Sequence, residues 1–145
     1  MKKILFAVIV SAVLFALTTS PKIFVGTENK TVAVVDAAED LPITIEFMHS
    51  VQKTPVIEEL TFHAGEFVLL RTRYKSLGVG LPFDAGDGNF RREGDWFIMD
   101  DMNRRFKNLE LRTGKGTRLK ITVNGHEYEL YKKFPLGTKI IVKRF

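Results

Sequence analysis

Residues with usable chemistry concentrate between Glu46 and Pro82. The stretch opens E-F-M-H-S-V-Q-K-T-P-V-I-E-E over Glu46 to Glu59 and closes S-L-G-V-G-L-P over Ser76 to Pro82. A nucleophilic serine needs a base within hydrogen-bond reach and a third group to orient that base. His49 beside Ser50 invites this reading, but adjacent residues on a strand point to opposite faces, which separates the two side chains. Ser76 is the other candidate nucleophile for His49, with a glutamate as third group, although no G-x-S-x-G elbow accompanies it.

His49 ends an alternating run in which Ile43, Ile45 and Phe47 share its phase. A histidine in that inward phase needs partners for its ring nitrogens, and Ser50, Glu58 and Glu59 are the nearest in sequence. The structural expectation is a hydrogen bond from His49 to one of these glutamates, tying two strands together. A ligand-binding role is the functional alternative. Gly78 and Gly80 permit backbone amides to approach an anion, but tight loops also demand glycine for positive φ alone. No helix follows G-V-G-L-P, so neither nucleotide-binding logic applies. Arg112, or the pair Arg104 and Arg105, could clamp a carboxylate bidentately or simply face solvent.

Metal chemistry has little support. His49, His63 and His126 show no H-x-H or H-x-x-x-H spacing, and Asp84, Asp87, Asn89 and Glu93 miss the calcium-loop pattern. Cysteine is absent, which excludes disulfides, thiolate nucleophiles, zinc fingers and lipidation through an N-terminal cysteine. No cofactor is expected.

Period-two runs dominate the chain after residue 30 and carry these residues. They cover Thr31–Val35, Ile43–Met48, Ile57–His63, Phe67–Tyr74, Trp96–Met99, Phe106–Leu111, Leu119–Val123, His126–Lys132 and Lys139–Lys143. Ala64-Gly65-Glu66 reads as a hairpin turn, Asp84–Asn89 as turn chemistry, and Asn124-Gly125 as a type I′ turn between two alternating runs. Met99 to Asn108 has room for one helical turn. The pattern predicts an all-β domain over 30–145, a single sandwich or barrel of about eight or nine short, mainly antiparallel strands.

The N-terminus has another character. Met1-Lys2-Lys3 precedes an uncharged run from Ile4 to Leu17, a length that suits a signal-peptide core and falls short of a ~20-residue span. Extended to Val25, the segment reaches the length of an uncleaved anchor, so residues 1–25 read as signal peptide or membrane anchor. Either way the two lysines stay inside and the domain is exported, to the periplasm or the outer face of the cytoplasmic membrane. The apolar fraction of 45% and charged fraction of 27% are those of a globular domain. The net charge of +5 is uneven: residues 1–90 carry 8 basic and 10 acidic side chains, residues 91–145 carry 14 and 7. Anionic lipid is one partner for such a surface, solvated strand faces another explanation; export argues against nucleic acid.

His49-Ser50-Val51, Pro55-Val56-x-Glu58 and Ser76-x-Gly78-x-Gly80-Leu81-Pro82, with Arg112-x-Gly114 as a weaker element, resemble the small bacterial family known as domain of unknown function 1850. The resemblance implies a short protein with a hydrophobic N-terminal segment, encoded beside TRAP-type transporters of the TAXI class that take up organic acids. It implies no catalytic role for any residue. The expectation is an accessory extracytoplasmic domain that contacts the permease or solute-binding protein, or holds a small organic acid. The surface expected to matter comprises His49, Ser50, Glu58, Ser76, Gly78, Gly80 and Arg112, with His49 and the glycine loop meeting at one mouth. A small Ser/His hydrolase and a structural envelope domain on anionic lipid are the competing readings.

Overall fold

Alternating apolar residues drive almost every described segment into strand, because one face of each run must be buried against another. The computed structural model describes residues 20–77, 81, 82, 86 and 88–145. Among these the strands are β1 (Lys22–Gly26), β2 (Thr31–Asp36), β3 (Leu41–Met48), β4 (Pro55–His63), β5 (Glu66–Tyr74), β6 (Asn89–Glu93), β7 (Trp96–Asp100), β8 (Arg104–Phe106), β9 (Asn108–Arg112), β10 (Lys120–Val123), β11 (His126–Glu129) and β12 (Lys139–Arg144), with one helical turn, α1 (Leu130–Lys133). The smaller sheet runs β2-β1-β12-β9. The larger runs β11-β10-β3-β4-β5-β7-β6, with β8 also on β5. All pairings are antiparallel, as the all-β reading predicts.

Turn chemistry sets the hairpins. Asn124 and Gly125 both take positive φ (50° and 78°) between β10 and β11, and Ala64 and Gly65 do the same (51° and 83°) between β4 and β5. These are the conformations a two-residue type I′ turn requires.

β5 forks. Its Phe67–Leu69 half pairs with β8, and its Thr72–Tyr74 half pairs with β7. Between them Leu70 is the extra residue of a bulge, since Glu59 faces Arg71 while Leu60 faces Leu69. Only Lys107 separates β8 from β9, so one ribbon passes from the larger sheet to the smaller and joins them at a corner. The core fills the space between: Ile23 and Val25 of β1, Ile43 and Ile45 of β3, Phe67, Met99, Ile121, Val123, Leu130, and Ile140 and Val142 of β12 are each 2% exposed or less.

Several expectations are corrected. There are twelve strands among the described residues rather than eight or nine. The helical turn expected within Met99–Asn108 is a bend into β8, with Asp101 and Asn103 at φ of 55° and 49°. The run Phe106–Leu111 breaks into two strands at Lys107, β6 follows the expected turn unforeseen, and the His126 run ends as α1. Strand structure is already present ahead of residue 30, where Ile23 and Val25 are core residues of β1, which lies between β2 and β12. The hydrophobic run Ile4–Leu17 and half of the Asp84–Asn89 turn lie outside the described residues.

Candidate functional site

Where β9 has departed toward the smaller sheet, a cleft of about 440 Å³ opens between β3 and β4 on one side and the end of β9 on the other. Ile45, Phe47, Met48, Leu81, Leu111 and Leu119 supply its apolar walls, and His49, Ser50, Glu58, Glu110, Arg112 and Thr117 its polar groups. Such a volume falls within the roughly 300–1,000 Å³ of small-molecule sites.

Glu58 is the unusual member. It lies on β4 in the phase of Val56, Leu60 and Phe62, all buried, directly opposite Ile45 of β3 and Thr72 of β5. Neither cross-strand neighbour gives it a partner. Thr72 donates its hydroxyl to the Met102 sulfur at 3.3 Å, and Ile45 has nothing to offer. The next inward side chain on β5, Tyr74, donates its hydroxyl to the Pro82 carbonyl. Burial alone pushes the Glu58 carboxyl above its ordinary value of 4.5. Its oxygens are not sealed in; they open onto the cleft, since the only wholly enclosed side-chain polar atom without a partner among the described residues is Arg73 Nε.

His49 is buried, as its phase predicts, and its hydrogen bonds to described residues are local. Nδ1 accepts the backbone N–H of Gln52 at 3.2 Å and of Val51 at 3.3 Å. The His49 N–H donates to the Thr54 carbonyl at 2.8 Å, and the Lys53 N–H to the His49 carbonyl at 3.0 Å. The expected tie from His49 to a glutamate is thus replaced by a ring that closes the β3–β4 turn. The tautomer follows. A neutral imidazole that accepts at Nδ1 carries its proton on Nε2, so Nε2 donates and cannot take a proton from a serine. This is the reverse of what a Ser/His dyad needs.

Ser76 stands outside the cleft lining and shares a 2.7 Å hydrogen bond with the Thr54 hydroxyl. Thr54 therefore joins the two sequence motifs, since its carbonyl holds His49 and its hydroxyl holds Ser76. Ser50 is exposed at the cleft edge. Arg112 is exposed at the rim and donates to the Gly137 carbonyl at 2.8 Å. Glu110, also at the rim, is paired with Lys139 at 2.6 Å. From the glycine loop Leu81 reaches the same cleft as His49; Gly78 and Gly80 lie outside the described residues. Sequence reasoning missed Thr54, Thr117 and the apolar walls. The signal for Glu58's isolation was available, since a glutamate in phase with Val56, Leu60 and Phe62 has to face inward.

A family profile described as a domain of unknown function, DUF1850, matches residues 43–130. The chain belongs to the DUF1850 family. Comparison with curated proteins and with solved structures returned no match. Every residue of the cleft falls inside the DUF1850 stretch, whereas β1, β2 and β12 lie outside.

Two other clusters are present in this DUF1850 chain. Glu39, Asp40 and His63, all exposed, bring ligand-type atoms within 4.8 Å of one another. His63 Nδ1 lies 2.7 Å from Glu39 and 2.9 Å from Asp40, and Glu39 also accepts the Ala64 N–H at 2.9 Å, which pins the β4–β5 turn. On the outer face of the larger sheet, Glu59 pairs with Arg71 and Arg73, and Asp100 with Arg71 and Arg91. This lattice absorbs part of the basic surplus of the C-terminal half.

Proposed function

We propose that this chain is a non-enzymatic binding domain on the outer side of the cytoplasmic membrane, and that the cleft beside Glu58 takes a small ligand. The observation that carries this reading is the cleft itself: an open, largely apolar gap floored by the half-buried Glu58 carboxyl, which no other described residue satisfies. A carboxyl so placed weakens the fold, and its retention at the floor of a cavity suits a binding role. The His49 tautomer weighs against nucleophilic catalysis at the same place. The hydrophobic run behind Lys2-Lys3 supports the extracytoplasmic placement, and the family resemblance supports an accessory role beside a TRAP-type uptake system.

The cleft is tested by plugging it. A small-molecule fragment screen followed by NMR on the labelled full chain should give shifts at Phe47, Leu111 and Leu119 that vanish in Leu81→Trp. Shifts scattered elsewhere, or unchanged by the plug, would remove the cleft as the binding place. The accessory role is tested by capture of the tagged chain from native membranes. Recovery of a permease or solute-binding protein is expected, and its absence at normal expression would end that part of the proposal.

A further inference from the structure

The polar groups around Glu58 define what it is able to receive. Thr72 and Tyr74, its inward neighbours on β5, spend their hydroxyls on Met102 and Pro82. His49 Nδ1 is an acceptor committed to two backbone amides. At the rim, Arg112 is turned to the Gly137 carbonyl and Glu110 is held by Lys139. From β3 the inward residues Ile43, Ile45 and Phe47 contribute no charge. Among the described residues, no cation acts on the Glu58 carboxyl, and burial is the sole influence on its titration.

Buried carboxylates in proteins are normally paired, because desolvation is offset only by a close cation or several hydrogen-bond donors. Among the described residues none is hydrogen-bonded or ion-paired to the Glu58 carboxyl, whose oxygens open into space large enough for a ligand. We infer that the cleft takes a small molecule with an apolar body and a cationic nitrogen at its inner end, such as an ammonium or amidinium group, which the Glu58 carboxylate receives. The apolar body lies against Ile45, Phe47, Leu81, Leu111 and Leu119. An anionic head group fits poorly, since it would meet a second carboxylate in a low-dielectric setting unless a proton were bound first. A neutral hydroxyl would satisfy one lone pair and leave the charge uncompensated.

This inference rests on the cleft being a ligand site and adds the chemistry of the head group. Three probes with one body separate the two claims: 2-phenylethylammonium, 2-phenylethanol and 3-phenylpropionate, titrated by NMR into the labelled full chain. The ammonium probe is expected to bind at least about tenfold more tightly than the alcohol, and Glu58→Gln to remove that advantage. The spectrum of Glu58→Gln without ligand verifies its fold. Ammonium binding should also weaken as pH falls and Glu58 takes up a proton. Preference for the carboxylate probe, or an ammonium affinity indifferent to Glu58→Gln, would overturn the cationic assignment and leave the ligand cleft standing. Failure of all three probes to shift any cleft residue would overturn the cleft reading and this inference together.

Discussion

Glu58 and Ile45 face each other across the β3–β4 ladder, a carboxyl set against an isoleucine that is 2% exposed. Burial raises the folded-state pKa of Glu58 above 4.5, so the folded protein binds this proton more tightly than the unfolded chain. The sign follows by linkage: between 4.5 and the raised folded value, stability falls as pH rises, and the loss is complete above it. Glu58→Leu should therefore stabilise the domain at neutral pH by about 1 kcal/mol or more, and Glu58→Gln should remove this component of the pH slope. Urea unfolding between pH 4 and 8 measures both. A less stable Glu58→Leu would mean that the carboxyl has a structural partner.

His49 holds the β3–β4 turn through its ring. His49→Ala strands the N–H groups of Val51 and Gln52 and should cost about 1–2 kcal/mol. Asparagine offers a short side-chain acceptor suited to amides two and three residues on, so His49→Asn should recover part of that loss. Chemical denaturation of the three proteins tests this. Equal stability of His49→Ala and wild type would show that the backbone bonds of His49 with Lys53 and Thr54 suffice.

How far the sequence reveals this molecule depends on whether a feature is local. β3 and β4 are legible because Ile43, Ile45 and Phe47, and Val56, Leu60 and Phe62, alternate cleanly. β1 is not, because Ile23-Phe24-Val25 follows closely on another apolar run and reads as its continuation. β6 is masked by Arg91, Arg92 and Glu93, whose charges suit an exposed edge strand. The break at Lys107 is a tertiary event: β8 pairs with β5 and β9 with β12, and nothing in R-R-F-K-N-L-E-L-R announces the change of sheet. The inward phase of His49 is legible, whereas the choice of Gln52 over a glutamate depends on how tightly the turn closes. Thr54 links two motifs 22 residues apart through Ser76, a contact that exists only once β4 and β5 pair.

Asp100 should show the opposite pH behaviour to Glu58. Burial would raise its carboxyl, but hydrogen bonds and charge from Arg71 and Arg91 outweigh burial and hold it below the ordinary 3.8. A depressed carboxylate contributes stability that is present above the unfolded value and lost as pH falls through the folded one. Asp100→Asn should flatten the acid limb of the stability profile and cost less than about 1 kcal/mol at neutral pH, since both arginines stay largely hydrated. Urea midpoints from pH 2.5 to 7 provide the test, and an unchanged acid limb would remove Asp100 from the network's energetics.

The position of β1 makes the last prediction. Ile23 is fully buried and lies between Val35 of β2 and Arg144 of β12 in the ladder, so its side chain belongs to the core cluster. A membrane anchor reaching Val25 would leave Ile23 with no part in folding. Ile23→Ala should cost about 2–5 kcal/mol, as truncation of a buried isoleucine leaves a cavity that the surrounding strands fill only partly. Val34, on the same sheet but 49% exposed, provides the control: Val34→Ala should change stability by about 0.5 kcal/mol or less. Thermal unfolding of both variants reads the difference. If Ile23→Ala and Val34→Ala unfold together, β1 is not a structural strand and the domain boundary belongs after residue 26.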